Sequence, residues 1–192
     1  MKRIAIAAAM ALAMTGAAKA DIVDFWGFGG GVTQSPDLDF GGTSREMDYG
    51  FNAGGFVGWR QSEEISFLAD VGYTQSEYEG FASSLESLSA MLNAMYVCNT
   101  GDFWRPYIGA GAGAVEVSFD RSSTGPFLPG SVGVGGSEWA FGYQATAGIA
   151  FSVDETHAIT IGYRYQAAED VTLGGRNIEY ASHNISIGVV FD

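Results

Sequence analysis

Apolar and polar side chains alternate through most of this 192-residue chain. In the run 157–166 the odd positions Ile159, Ile161, Tyr163 and Tyr165 make one apolar face. The even positions Thr160, Gly162, Arg164 and Gln166 make a polar one. A period of two marks a β-strand, because successive side chains point to opposite sides. The same division sets Phe67, Ala69, Val71 and Tyr73 against Ser66, Asp70, Gly72 and Thr74. It sets Leu88, Ala90, Leu92, Ala94 and Tyr96 against Ser87, Ser89, Asn93 and Met95. Phe141, Tyr143, Ala145, Ala147, Ile149 and Phe151 oppose Gly142, Gln144, Thr146 and Gly148, and Ile185, Ile187, Val189 and Phe191 oppose Ser186 and Gly188. The run 107–114 holds too many small residues to orient. Its glycines are expected beneath neighbouring aromatic rings.

Eight strands are predicted, at 23–34, 47–59, 65–76, 85–98, 105–119, 138–153, 157–167 and 178–191. Short connections at 61–64, 99–102 and 154–156 alternate with long ones at 35–46, 77–84, 120–137 and 168–177. That rhythm fits an antiparallel up-and-down barrel with short turns at one rim and long loops at the other. Strands of about 10–15 residues are long enough to cross a bilayer at a tilt of roughly 45°, whereas strands of soluble proteins average about 5–6. The competing reading is a soluble barrel with the apolar faces turned inward. Its outer surface would then carry many Lys and Glu residues. Here the polar faces carry Ser, Thr, Asn, Gln and Gly, and charge concentrates in the connections. Trp26, Trp59, Tyr73, Tyr96, Trp104, Tyr107, Tyr143 and Tyr165 gather toward strand ends, as interfacial girdles do. The alternation therefore predicts an all-β, eight-stranded transmembrane barrel with its apolar faces outward.

The N-terminus supports an exported protein. Met1-Lys2-Arg3 precedes an apolar stretch from Ile4 to Met14, and Ala18-Lys19-Ala20 has a small-x-small cleavage pattern. This composition reads as a secretory signal peptide at 1–20, leaving one barrel domain at 21–192. Loss of Lys2, Arg3 and Lys19 would take the net charge from −13 to −16. Such acidity argues against nucleic acid as a partner, since phosphate is repelled. The single Cys98 cannot form an internal disulfide, so closure of the sheet must supply the restraint.

Three segments stand out: Arg105-Pro-Tyr-Ile-Gly-Ala-Gly-Ala-Gly113, then Gly142-Tyr-Gln-Ala-Thr-Ala-Gly148 followed by Ile161-Gly-Tyr-Arg-Tyr165, and His183-Asn-Ile-Ser-Ile-Gly188. Together they resemble the small OmpA-like and opacity-type outer-membrane barrels, the porin-like surface antigens of Gram-negative bacteria. The resemblance implies insertion among outer-membrane lipid, with help from periplasmic chaperones and the barrel-assembly machinery during export. Members commonly end in an aromatic residue that this machinery reads. Phe191, one place before Asp192, is expected to serve.

Strand parity points Asp70 and Arg164 into the lumen, and the resemblance implies acidic and Arg residues packed there. An Asp70–Arg164 ion pair is expected, with Asn52, Asn93, Gln144 and Gln166 completing a polar network. Eight strands leave room for packed side chains, not for a wide channel. A structural or surface-interaction role is thus expected, with envelope integrity, adhesion or antigenic display as its forms. A narrow pore for small solutes is the alternative, and a lipid-modifying enzyme a remoter one. His157 and His183, placed at strand beginnings near opposite rims, build no catalytic triad. One Cys and two separated His match no zinc spacing, so neither metal nor cofactor is expected. Glu77, Glu79, Asp37 and Asp39 form no calcium loop. The connection 120–137 carries Phe127 and Leu128, an apolar tip suited to a surface ligand.

Overall fold

The computed structural model describes residues 23–34, 38–39, 44–45, 49–77, 83–100, 103–121, 136–173 and 176–192. Its strands are β1 (Phe25–Gln34), β2 (Leu38–Asp39), β3 (Ser44–Arg45), β4 (Gly50–Arg60), β5 (Ile65–Glu77), β6 (Ser83–Val97), β7 (Trp104–Arg121), β8 (Gly136–Ser152), β9 (His157–Leu173) and β10 (Arg176–Phe191). Eight of them close in the order β1-β10-β9-β8-β7-β6-β5-β4, every neighbouring pair antiparallel. β2 and β3 form a separate two-stranded ladder within the first long connection. Among the described residues no helix is long and apolar enough to cross a membrane.

Closure follows from the two-faced strands. A sheet that presents apolar side chains to hydrocarbon cannot leave an unpaired edge there, and a closed barrel has none. The outward set is exposed all round: Phe28, Val32, Phe51, Phe67, Leu92, Tyr96, Ile108, Phe141, Tyr143, Ile149, Ile159, Ile161, Tyr163, Ile185 and Ile187. The inward set buries Thr33, Ser66, Asp70, Thr74, Ser87, Ser89, Asn93, Gln144, Gln166, Ser182 and Asn184, with Met91, Met95, Val115 and Val117 among them. Burying the polar set while exposing the apolar one is the reverse of a water-soluble core. It is the arrangement of a membrane barrel.

The small-residue strand β7 is oriented by its partner. In register, Gly109 faces Met95, Gly111 faces Asn93 and Gly113 faces Met91, while Ala110 and Ala112 point outward, exposed. These glycines make room for Met and Asn side chains of β6. The expectation of aromatic rings above them is corrected. Rings do lie over other glycines. A Cβ on Gly148 or Gly162 would strike the Tyr107 hydroxyl, and one on Gly58 would strike the Phe25 ring. Tyr107 therefore points into the lumen, and its assignment to an outer girdle is also corrected. It shares the inward parity of Gly109 and Gly111.

The predicted loop at 168–177 is mostly strand. Leu173, Thr172 and Val171 pair with Arg176, Asn177 and Ile178, with a register shift between Ile178 and Tyr180. The ladder runs on through these residues, whose β-branched and apolar composition favours strand. As β10 begins at Arg176, His183 lies mid-strand on the outer face, not at a strand beginning.

The short-turn rim is tied where the start of β1 meets the end of β10. Arg60 N donates to Asp24 Oδ2 at 2.6 Å, and its Nη2 donates to Asp192 Oδ1 at 2.5 Å. Its guanidinium lies 4.9 Å from the Phe25 ring centroid. On the outer surface Phe191 stacks on Trp26 at 4.3 Å between centroids, lies 6.0 Å from Phe28, and receives the edge of His157 at 5.2 Å.

Candidate functional site: a polar plug across the lumen

Asp70 stands on β5 between Phe56 of β4 and Met91 of β6. Strand parity sends its carboxylate inward, where 6% of the residue is exposed. Two amides meet it. Gln144 Nε2 donates to Asp70 Oδ2 at 2.9 Å, and Asn93 Nδ2 donates to the same oxygen. Gln144 Nε2 also reaches Asn93 Oδ1 at 2.6 Å. Arg164 approaches from β9 with Nη1 3.7 Å from Asp70 Oδ1. Its side chain is 34% exposed to the lumen. The carboxylate is thus held by two amide donors and offset by a guanidinium just beyond hydrogen-bond distance. Gly111 permits this geometry, because a Cβ there would collide with Asn93 Oδ1.

Not all six expected members join the cluster. Asn52 instead donates to Val32 O at 2.7 Å and accepts from Ser186 Oγ at 3.1 Å, binding β4 to β1 and β10. Gln166 is buried opposite Gln144 in register, yet its Nε2 has no hydrogen-bond partner. Phe127 and Leu128 lie outside the described residues.

A second layer was hidden from pattern reading. Ser87 Oγ meets the Tyr180 hydroxyl at 2.6 Å, Thr74 Oγ1 meets it at 3.3 Å, and Thr74 and Ser87 bond each other. Tyr180 OH donates onward to Ser182 Oγ at 3.4 Å, which also accepts from Asn184 Nδ2 at 3.1 Å. Parity marked Ser87 and Thr74 as inward. Tyr180 shares that parity in β10, but only the register brings the three together.

Two cavities flank the Asp70 cluster. One of 110 Å³ is lined on the long-loop side by Asn52, Thr74, Ser89, Gln166 and Asn184. The other, of 190 Å³, is lined on the short-turn side by Phe25, Arg60, Leu68, Met95, Arg105 and Val190. Both also touch Phe56, Asp70, Tyr107, Thr146, Thr160 and Arg164. These six side chains make the partition between them. Tyr107 and Phe56 supply bulk, and Asp70 with Arg164 supplies balanced charge. The sequence reading included neither aromatic ring in the lumen.

At the short-turn rim, a third cavity of 320 Å³ is lined by Asn99, Arg105, Ser152, Asp154, Glu155, His157 and Asp192. His157 Nδ1 lies 2.8 Å from Asp154 Oδ1. The Thr156 backbone N–H, donating to Asp154 Oδ1 at 2.8 Å, and then His157 hold that carboxyl down to a pKa of about 2. Among the described residues no group of three or more His, Cys, Asp or Glu could hold a metal ion. Cys98 is a free, exposed thiol.

Residues 4–192 match the family model described as outer membrane protein beta-barrel domain. Among solved structures, the Neisserial surface protein A is similar at 20% identity and a TM-score of 0.60, over 87% of this chain and 96% of that one. Ail, the attachment invasion locus protein of Yersinia pestis, matches at 16% identity and a TM-score of 0.49, over 87% and 98%. The N-terminal barrel domain of Pseudomonas aeruginosa OprF matches at 15% identity and a TM-score of 0.47, over 88% and 97%. The first of these likenesses shows a shared fold. No curated protein matches the chain in sequence.

Proposed function

Because the chain belongs to the outer membrane protein beta-barrel family, and so resides in the outer membrane among its lipids, we propose that it is a plugged, non-enzymatic scaffold. It reinforces the envelope and displays its long loops at the cell surface. The observation that carries this reading is the lumenal partition of Phe56, Asp70, Tyr107 and Arg164 between two cavities. A wide aqueous path needs a larger strand number, roughly 16–18. Planar-bilayer recording tests it: the refolded protein is expected to give no stable unitary conductance. Steady openings would overturn the plugged reading.

The two cavities favour one second reading, a narrow pore for small solutes that forms when the partition shifts. Arg164→Ala, which removes a side chain from the partition, would then raise conductance. The surface role rests on the loops. Deletion of 122–134, with Phe127 and Leu128, is expected to lower adhesion to host or neighbouring cells, and unchanged adhesion removes that part. Phe191, seated against Trp26, is proposed as the residue that the barrel-assembly machinery reads. Phe191→Ala is expected to lower the yield of folded protein in cells, and an unchanged yield refutes the assignment.

A further inference from the structure

The outer face of β9 and β10 is an exposed apolar stripe of Ile159, Ile161, Tyr163, Ile185 and Ile187. His183 tops it, exposed and paired in register with Tyr165 of β9 and Gln34 of β1. Phe191, in the lower aromatic cluster, lies further along the same strand. At about 3.3 Å per residue and a tilt of about 40°, His183 stands roughly 20 Å above it. The apolar band of such barrels is about 25 Å tall. His183 thus sits close under the upper headgroup layer.

Its ring is also oriented. The Tyr163 hydroxyl lies 2.6 Å from His183 Nδ1. With the Tyr163 hydroxyl donating to Nδ1, the ring proton is left on Nε2. The Tyr165 and Tyr163 rings flank the imidazole at 5.3 and 6.0 Å between centroids. Among the described residues none accepts from Nε2. Hydrocarbon offers no acceptor, and an unsatisfied donor at this depth is costly. The side chains of Arg60, Arg105, Arg164 and His157 lie in the lumen or at the short-turn rim. With a chain charge of −13, diffuse attraction does not favour phosphate here, and the Nε2–H is a local donor for it.

We propose that His183, oriented by Tyr163, is a contact site for the phosphate of an outer-leaflet lipid headgroup, with Nε2–H donating to a phosphate oxygen.

The test uses the whole barrel refolded into two bilayers, one of phosphatidylglycerol and one of a phosphate-free galactolipid. In the first, NMR is expected to show the Nε2-protonated tautomer and a ¹H–³¹P correlation from its proton to lipid phosphorus. In the second, that proton should exchange freely with water, and inorganic phosphate at millimolar concentration should not protect it. Tyr163→Phe, which keeps the ring but removes the orienting hydroxyl, should mix the tautomers and weaken the correlation. In competition for a labelled phospholipid, His183→Phe should weaken retention about tenfold, the scale of one charge-assisted hydrogen bond. His183→Gln, which keeps a donor, should restore part of it. Protonation at Nδ1, correlation to water alone in both bilayers, or equal protection by inorganic phosphate would overturn the proposal.

Discussion

Asp70 and Arg164 face one another, but the structure assigns them unequal weights. Asp70→Ala removes the acceptor of two buried amide donors, Asn93 Nδ2 and Gln144 Nε2. A hydrogen bond to a charged group contributes about 1.5–3 kcal/mol. Two of them set a loss of roughly 3–6 kcal/mol, trimmed because Gln144 keeps Asn93 Oδ1 at 2.6 Å. The expected cost is about 3–5 kcal/mol. Arg164→Ala leaves that carboxylate with both amides. It removes a charge 3.7 Å away that is one-third exposed. Such a screened pair is worth about 0–1 kcal/mol. The carboxylate's partial dependence on it brings the expected cost to about 1–2 kcal/mol. Reversible urea unfolding in lipid vesicles, followed by tryptophan fluorescence and by gel migration before and after boiling, measures both. Arg164→Ala as damaging as Asp70→Ala would refute the amide-centred account and restore a dominant ion pair.

Other expectations use the same barrel. Gly148→Ala, which drives a methyl against the Tyr107 hydroxyl and the Ile161 carbonyl, should cost about 1–3 kcal/mol. Adding Tyr107→Phe should recover only part of that cost, since the ring Cζ and the Ile161 carbonyl, both at 2.5 Å, still clash. At the short-turn rim, the Asp154 carboxyl titrates near pH 2 in the folded protein, below its ordinary 3.8. Its tether to Thr156 and His157 therefore stabilises the turn above the ordinary value and is lost as pH falls through about 2. A carboxyl-carbon NMR titration checks this, and a midpoint at or above 3.8 contradicts it. Arg60→Gln breaks the Asp192 pair, whose side chains are 42% and 32% exposed, and the contact with Phe25. The combined loss should be only about 1–2 kcal/mol in urea unfolding.

The barrel was legible because its strands have two chemically distinct faces, and the environment outside is the apolar one. Parity alone sorted Ile159, Ile161, Ile185 and Ile187 outward and Asp70, Asn93, Gln144 and Arg164 inward. It failed where both faces are small. In β7, Gly and Ala alternate, and only the register against Met91, Asn93 and Met95 tells which side needs room. Tyr107 inherits that ambiguity, so its position near a strand end suggested a girdle when its ring spans Gly148 and Gly162. The plug's membership was half readable for a related reason. Parity names the inward residues of each strand but not their heights. Register places Asn52 opposite Gly31 and Thr74, and Asp70 opposite Phe56 and Met91. Asn52 thus serves the strand wall and leaves Asp70 to Asn93 and Gln144. The extension of β9 and β10 is not legible in the sequence because Glu169, Asp170 and Arg176 look loop-like by charge, although the ladder runs on through Val171, Leu173 and Ile178.

The most direct measurement is the contact map between side chains and acyl chains. In bilayer nanodiscs with methyl-labelled protein, lipid-tail Overhauser effects should reach Leu92, Ile108, Ile161, Ile185 and Ile187. Val115, Met91 and Met95, which face the lumen, should show none. Lipid-tail effects at Val115 and Met91, with water contacts at Ile161 and Ile187, would mean that the sheet closes with its other face outward.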